Sequence, residues 1–554
     1  MAASTVRLHA GQWHEAGLHY RESLQSGACI DGPAVIAERN ATTVIEPGWQ
    51  AVCRPDGALD LRRTRPRDAA HAVGTEVDPV MLEVFNNLFM NIAEQMGLRL
   101  QNTAHSVNIK ERLDFSCALF SASGDLIANA PHMPVHLGSM SESIRTVIDR
   151  NPQMRPGDVY VLNDPYHGGT HLPDVTVVTP VWLDPSERPA FHVASRGHHA
   201  DIGGITPGSM PPFSRSIEEE GVLLDNVLLV RDGRLREAEL RALLAGGTHP
   251  ARDPDRTLAD LRAQIAANEK GVQELQAMVV QFGRPTVDAY MQHVQRNAEE
   301  SVRRVISALA SRPEVAPDAS FELPLDNGAV IRVRVTLDGS SRTAVIDFNG
   351  TSGQLDNNFN APKAVTLAAV LYVFRTLVDD DIPLNAGCLK PLTVNVPPGC
   401  MLNPNPPAAV VAGNVETSTC VTNALYGALG VMASSQPTMN NFTFGNERHQ
   451  YYETISGGSG AGPGFDGTAV VQTHMTNSRL TDPEVLEFRY PVRLEGYAIR
   501  SGSGGAGRFK GGDGGVRRVR FLEPMTASIL SNGRVHPAFG GDGGQDGAVG
   551  FNRV

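Results

Sequence analysis

Cysteine is scarce. Six residues (Cys29, Cys53, Cys117, Cys388, Cys400 and Cys420) are scattered over 554 positions with no CxxC pair. A reduced, cytoplasmic setting with mostly buried thiols is the simplest reading. Long apolar runs are absent too: nothing approaches the roughly 18 residues a membrane span needs. The opening residues, MAASTVRLHAGQW, lack the apolar centre of a signal peptide. Basic residues are not in excess, at 48 against 60 acidic, for a net charge of −12. That argues against nucleic acid or an anionic membrane as the main partner.

What is present fits a folded chain, with 41% hydrophobic and 19% charged residues and enough length for several domains and a large core. The 55 glycines and 37 prolines point to many tight turns in a loop-rich mixture of helix and strand.

Residues 1–64 read as short strands separated by Gly32-Pro33, Pro47-Gly48 and Asp56-Gly57. A polar stretch over 65–76 reads as a linker, and 77–554 as the main region. Residues 78–101 carry the clearest helical pattern, with Asp78 as cap and Pro79 in the first turn. Its expected buried stripe is Val80, Val84, Leu88, Ile92 and Met96, widened by Met81, Phe85 and Phe89. DFSCALF (114–120) and LIANA (126–130) flank a turn and read as a hairpin. Residues 255–311 read as two helices divided at Gly283 and Pro285, and 320–350 return to strand alternation. Residues 361–378 and 415–433 look helical. The glycine-dense last third matches neither a P-loop nor a dinucleotide fingerprint, so its glycines read as turns and close-packed backbone. The expected fold class is mixed α+β in several layers: a strand-rich metal domain, inserted helices and a glycine-rich β region.

Histidine and aspartate concentrate in PHMPVHLGS, NDPYHGGTHLPD and RGHHADIGG. DVTVVTPVW (174–182) alternates like a strand, LDPSER turns, and PAFHVAS (189–195) returns. An antiparallel hairpin would bring residues 196–200 beside 171–174. His198 or His199 would then meet His171 and Asp174, a donor set suited to Zn²⁺, Mn²⁺ or Fe²⁺. The bland alternative is a turn whose histidines hydrogen-bond the backbone. A serine triad is weak: there is no G-x-S-x-G elbow, and Ser139 has only sequence proximity to His136. Cys117, on an apolar strand face, reads as an inert thiol.

These motifs carry a resemblance. SVNIKERLDFSCALF, PVHLGSM, NDPYHGGTHLPDV, RGHHADIGG, PPFSRSIEEEGV, AGNVETS, YYETISGGSGAGPGFDGT and HMTNSRLTDPEVLEFRYP together resemble the hydantoinase B/5-oxoprolinase family, from about residue 77 onward. The last blocks look most like the ATP-dependent 5-oxoprolinase branch. GPAVIAERNATTVIEPGW resembles the C-terminal β-rich tail of the companion hydantoinase A half. GAVGFNRV resembles a stop short of the family's usual end.

The resemblance implies a division of labour. An A-type half, using ATP and Mg, phosphorylates the lactam oxygen of 5-oxoproline. The B-type half opens the activated ring with water activated at a metal, giving glutamate. It implies metal ligation by Asp114, His171, Asp174 and His198, with His199 as a neighbour that assists, carries protons or replaces His198. His136, His167 and Asp164 are candidates for the pocket wall or proton transfer. Glu416 acts at the site or steadies the turn of the next helix. Arg215 and Asn414 are candidates for holding substrate. Within NDPYHGGTHLPD, the end supplies the metal pair and the first half shapes the turn. An A-type ATPase partner and an oligomeric state are expected from the family. Other readings are a hydantoin or different lactam as substrate, a carboxylating ligase like acetone carboxylase, and an inactive fragment.

Overall fold

The computed structural model describes residues 4–10, 12–65, 74–185, 188–313, 315–380 and 382–554. They form two compact units, one within Met1–Val73 and one within Gly74–Val554. Most of the expected 65–76 linker, and part of the LDPSER turn, lie outside the described residues.

The first unit is built of strands, with one short helical turn at Arg21–Ser23. Ser4–Ala10, Gln12–Tyr20, Ala34–Ala37 and Thr42–Ile45 make one sheet, and Cys29–Asp31, Trp49–Cys53 and Leu59–Arg63 another. Its small core is Ile30, Ala34, Ile36, Ile45 and Ala51.

The second unit opens on the helix Pro79–Thr103, with the Asp78 side chain accepting from the Met81 N–H at 2.8 Å and Pro79 in the first turn. The expected stripe is rotated. Phe85, Phe89, Ile92, Met96 and Leu100 are buried, while Val80 and Val84 are 71% and 37% exposed. The mixed i+3 and i+4 spacing of the buried set tracks the 3.6-residue turn, which strict four-residue steps overshoot.

A seven-stranded antiparallel sheet follows, in spatial order Arg234–Leu235, Val227–Arg231, Val159–Leu162, Asp174–Val181, Phe191–His198, Phe115–Ser121, Leu126–Asn129. Both expected hairpins are there. Alternation along the strands assigns two faces. Ala118, Phe120, Val178 and Ala194 pack on the helix Pro134–Arg150 through Met140, Ile144 and Val147. Val175 and Val177 face the helix Pro254–Phe282 with Leu258 and Leu261. Gly283 separates that helix from Arg284–Ala310, as its spacing predicts.

A second sheet, of strands Asp318–Pro324, Val330–Asp338, Thr343–Asp347 and Leu392–Asn395, packs against the helix Ser418–Leu429, which in turn packs on Lys363–Thr376, to form the largest core. Gly138 lets Pro134–Arg150 approach Lys363–Thr376: a Cβ there would stand 2.4 Å from the Ala368 Cα. Gln450–Thr454, Asn441–Gly445 and Thr526–Leu530 form a third sheet. The glycine-dense loops are packed backbone, as expected: a Cβ on Gly458 would meet the Gly512 carbonyl at 1.8 Å. No helix among the described residues is long and apolar enough to cross a membrane.

Candidate metal centre

Strand register builds the site. Asp174 pairs with His198 at the end of the Asp174–Val181 and Phe191–His198 strands. Both share the sheet face that carries Thr176, Val178, Ala194 and Arg196, because side chains repeat every second residue. Asp114 lies just before the next strand, and its carbonyl accepts from the His198 N–H at 3.0 Å. His171 arrives by a tight turn in which the Asp174 N–H donates to the His171 carbonyl at 3.1 Å. From the helix above this face, His136 brings Nε2 to 3.0 Å from Asp174 Oδ2.

The two oxygens of Asp174 are used differently. Oδ2 accepts from the Thr170 hydroxyl at 2.8 Å and the Asn414 amide at 3.1 Å. Oδ1 lies 3.3 Å from His198 Nδ1 and makes no hydrogen bond among the described residues. Burial alone would push the Asp174 carboxyl up, but His136 and His171 beside it hold it well below the usual carboxylate range. Burial pushes His171 down, toward the neutral imidazole.

One ligand atom each from His171, Asp174 and His198 lies within 4.8 Å of the others, and all three residues are buried. Both ring nitrogens of His171, Nε2 of His198 and Oδ1 of Asp174 have no hydrogen-bond partner among the described residues. Buried polar atoms left without partners are costly. A cation held between the three residues would take one nitrogen from each imidazole and a carboxylate oxygen, relieving part of that cost. Two donors bonded to one ion at about 2.1 Å stand roughly 3 Å apart, and His171 Nδ1 and His198 Nδ1 are 3.0 and 3.3 Å from the Asp174 oxygens. The residues fit a divalent metal.

The other expected residues divide. The Asp114 carboxylate is buried but outside that three-residue group, 3.8 Å from the Arg112 guanidinium. His199 falls on the opposite sheet face, where Nε2 meets Gln264 Oε1 at 3.0 Å. Gln264 also donates to the Val175 and Ser195 carbonyls. Alternation thus separates two adjacent histidines that the sequence alone does not distinguish. His167 sits in a short turn, 2.6 Å from Asp164 Oδ2 and 3.6 Å from Asp225, half exposed and not with Asp174. Arg215 is not brought to the cluster either: its side chain is 74% exposed, 3.9 Å from Asp356. Asn414 touches Asp174 directly, and its own Oδ1 has no hydrogen-bond partner among the described residues. Glu416, in the same wide helical turn Gly413–Thr417, accepts from the Met439 N–H and the Asn441 amide. Burial pushes its carboxyl up to about 8. Ser139 is buried and donates to the Val135 and His136 carbonyls, which leaves it no triad role. Cys117 is buried, and burial pushes its thiol up.

Several residues escaped sequence reading. Thr170 lies within the same motif as His171. Arg196, fully buried, donates to the hydroxyls of Thr176, Ser139 and Ser143 beneath the cluster; its two-residue spacing from His198 was the available signal. Tyr452 stacks on His198 with ring centres 4.5 Å apart, from a strand more than 250 residues later in the chain, and no local pattern announces it.

Comparison with known proteins gives a consistent picture. A model described as hydantoinase B/oxoprolinase matches residues 78–554, and one described as hydantoinase/oxoprolinase C-terminal domain matches residues 4–63. The chain is 46% identical to 5-oxoprolinase 1 of Arabidopsis thaliana over 98% of its own length, but spans only 44% of that protein. It is 45% identical to 5-oxoprolinase of Dictyostelium discoideum over 97% of its own length, and again spans only 42% of that protein. Its fold is similar to the crystal structure of an ATP-dependent caprolactamase from Pseudomonas jessenii, with a TM-score of 0.73, 25% identity, and 82% and 80% of the two chains covered.

Proposed function

This chain belongs to the hydantoinase B/oxoprolinase family, and from that premise we infer that it is the ring-opening half of an ATP-dependent hydrolase of cyclic amides, acting on 5-oxoproline to yield glutamate. The observation that carries the reading is the buried convergence of His171, Asp174 and His198, with both His171 nitrogens and Asp174 Oδ1 unpartnered among the described residues. Identity to 5-oxoprolinase 1 supports the substrate.

His171, Asp174 and His198 would hold a divalent ion, Zn, Mn or Fe. Such an ion supplies Lewis acidity and lowers the pKa of water toward neutrality. The rest falls to the chain's own side chains. The donors on Asp174 Oδ2, which also faces His171 Nδ1 at 3.0 Å, fix its carboxylate so that Oδ1 stays directed at His198. His136, touching Asp174 and 3.3 Å from the Ser116 hydroxyl, is placed to take a proton from water and return one to the ring nitrogen. The unpartnered Asn414 Oδ1 accepts from the lactam N–H.

A lactam resists hydrolysis because its nitrogen donates into the carbonyl. Phosphorylation of the lactam oxygen by an A-type ATPase partner, spending ATP and Mg, makes the ring carbon electrophilic. Water adds there, the C–N bond breaks toward a protonated nitrogen, and a second water releases phosphate.

The test is glutamate release from 5-oxoproline and ATP by the metal-loaded chain, with and without an A-type partner. Release only with both metal and partner is the expected result. Turnover of a hydantoin in preference to 5-oxoproline would reassign the substrate, and bicarbonate-dependent consumption of a ketone would reassign the reaction. Failure of every combination would sink the proposal.

A further inference from the structure

We infer that Tyr452 is a positioning residue that fixes the ring of His198 in the metal centre. This rests on the metal reading above and concerns how that centre is held rigid. A metal-binding histidine is usually braced by a hydrogen bond from its second ring nitrogen. His198 lacks the brace: Nδ1 faces Asp174, and Nε2 is buried with no partner among the described residues. Free rotation about its Cβ–Cγ bond would swing both nitrogens away from the cluster. The Tyr452 ring blocks that rotation, lying 17° from parallel with centres 4.5 Å apart.

Tyr452 is itself locked. The Asn441 amide donates to Glu416 Oε1 at 2.6 Å and to the Leu530 carbonyl at 2.9 Å. Its Oδ1 therefore faces the phenol, which donates to it at 2.8 Å. The Arg112 guanidinium lies 4.7 Å from the Tyr452 ring centre and donates to the Tyr452 carbonyl at 2.9 Å. Each contact comes from a different part of the chain. The ring plane of His198 is thus set by the third sheet, not by the sheet that carries it. The strand Gln450–Thr454 and the Arg112 guanidinium hold the ring in place, and the phenol hydroxyl adds to that hold.

The experiment titrates the metal-free chain with Co²⁺ and records its visible absorption, for wild type, Tyr452→Phe and Tyr452→Met. Phenylalanine keeps the flat face; methionine fills the space without one. Y452M is expected to weaken Co²⁺ binding about tenfold or more and to change the Co²⁺ spectrum. Y452F is expected to stay within about threefold of wild type with the same spectrum, a rescue that loss of packing alone would not give. A folded Y452M with wild-type affinity and spectrum overturns the inference. Should Y452M not fold, wild type labelled with fluorotyrosine and loaded with Co²⁺ decides by ¹⁹F NMR. One of the ten tyrosine signals should be paramagnetically shifted and missing from Y452F; no shifted tyrosine overturns the inference. A wild type that binds no Co²⁺ overturns the metal reading itself, and this inference with it.

Discussion

Asp174 and His198 face each other as a register pair on neighbouring antiparallel strands, and the Asp174 oxygen nearest His198, 3.3 Å from its Nδ1, is the one that makes no hydrogen bond. The carboxylate is anchored on one side and open on the other.

Removing a ligand should empty the centre, whereas removing the adjacent histidine should not. Asp174→Asn and His171→Ala are expected to lower divalent metal affinity by roughly 100-fold or more, beyond the tenfold scale of supporting residues. His199→Gln, on the far sheet face, should stay within about tenfold. Metal content by mass spectrometry after gel filtration reads this. Equal losses in all three variants would refute the separation of the two faces.

Gln264 should matter for stability and not for metal. It satisfies the Val175 and Ser195 carbonyls and His199 Nε2 at once. Gln264→Leu strands those groups in a buried seam, at a cost of about 2–4 kcal/mol. Urea unfolding would show the loss, with metal stoichiometry unchanged in the folded protein.

Gly138→Ala tests how tightly the site-bearing helix is held. The added methyl would lie 2.4 and 2.6 Å from the Ala368 Cα and Cβ. Alanine gains up to about 1 kcal/mol in helix propensity, but the clash involves backbone that cannot move aside, so a net loss of about 1–3 kcal/mol is expected. A raised melting temperature would contradict this.

Acid sensitivity should trace in part to buried neutral histidines. Burial pushes His132 and His192 down to about 4 and His474 down to about 3, against 6.5 for the free side chain. Below 6.5 the unfolded chain binds protons that the folded chain does not. Stability therefore falls as pH drops from 6.5 and levels off for each group below its folded pKa. His192 lies within its strand opposite Phe120, away from the metal centre. His192→Gln should reduce proton uptake on unfolding at pH 5 by about one, measured from the pH dependence of the unfolding free energy. An unchanged slope would show that His192 is not buried neutral.

Much of this fold is legible in local pattern. Asp78 and Pro79 announce the first long helix, Gly283 divides two others, and the alternation of DVTVVTPVW and PAFHVAS yields a hairpin that brings residues 196–200 back beside 171–174. These signals are periodic and capping effects confined to neighbouring residues. The rotation of the Pro79–Thr103 stripe was not legible, because Val80 and Phe85 are equally apolar in sequence and only the helices packed against them decide which face is buried.

The same boundary runs through the site. The sequence by itself determined that a histidine–aspartate turn and a returning strand meet, since spacing and chain stiffness leave few other arrangements. Tertiary structure decided the rest. It turned His198 toward His171 and Asp174 and His199 toward Gln264, since successive strand residues point to opposite faces. It left Arg215 in solvent, and it brought Asn414 and Tyr452 to the cluster from distant segments. Those contacts join residues hundreds of positions apart, and only the packing of separate sheets and helices specifies them.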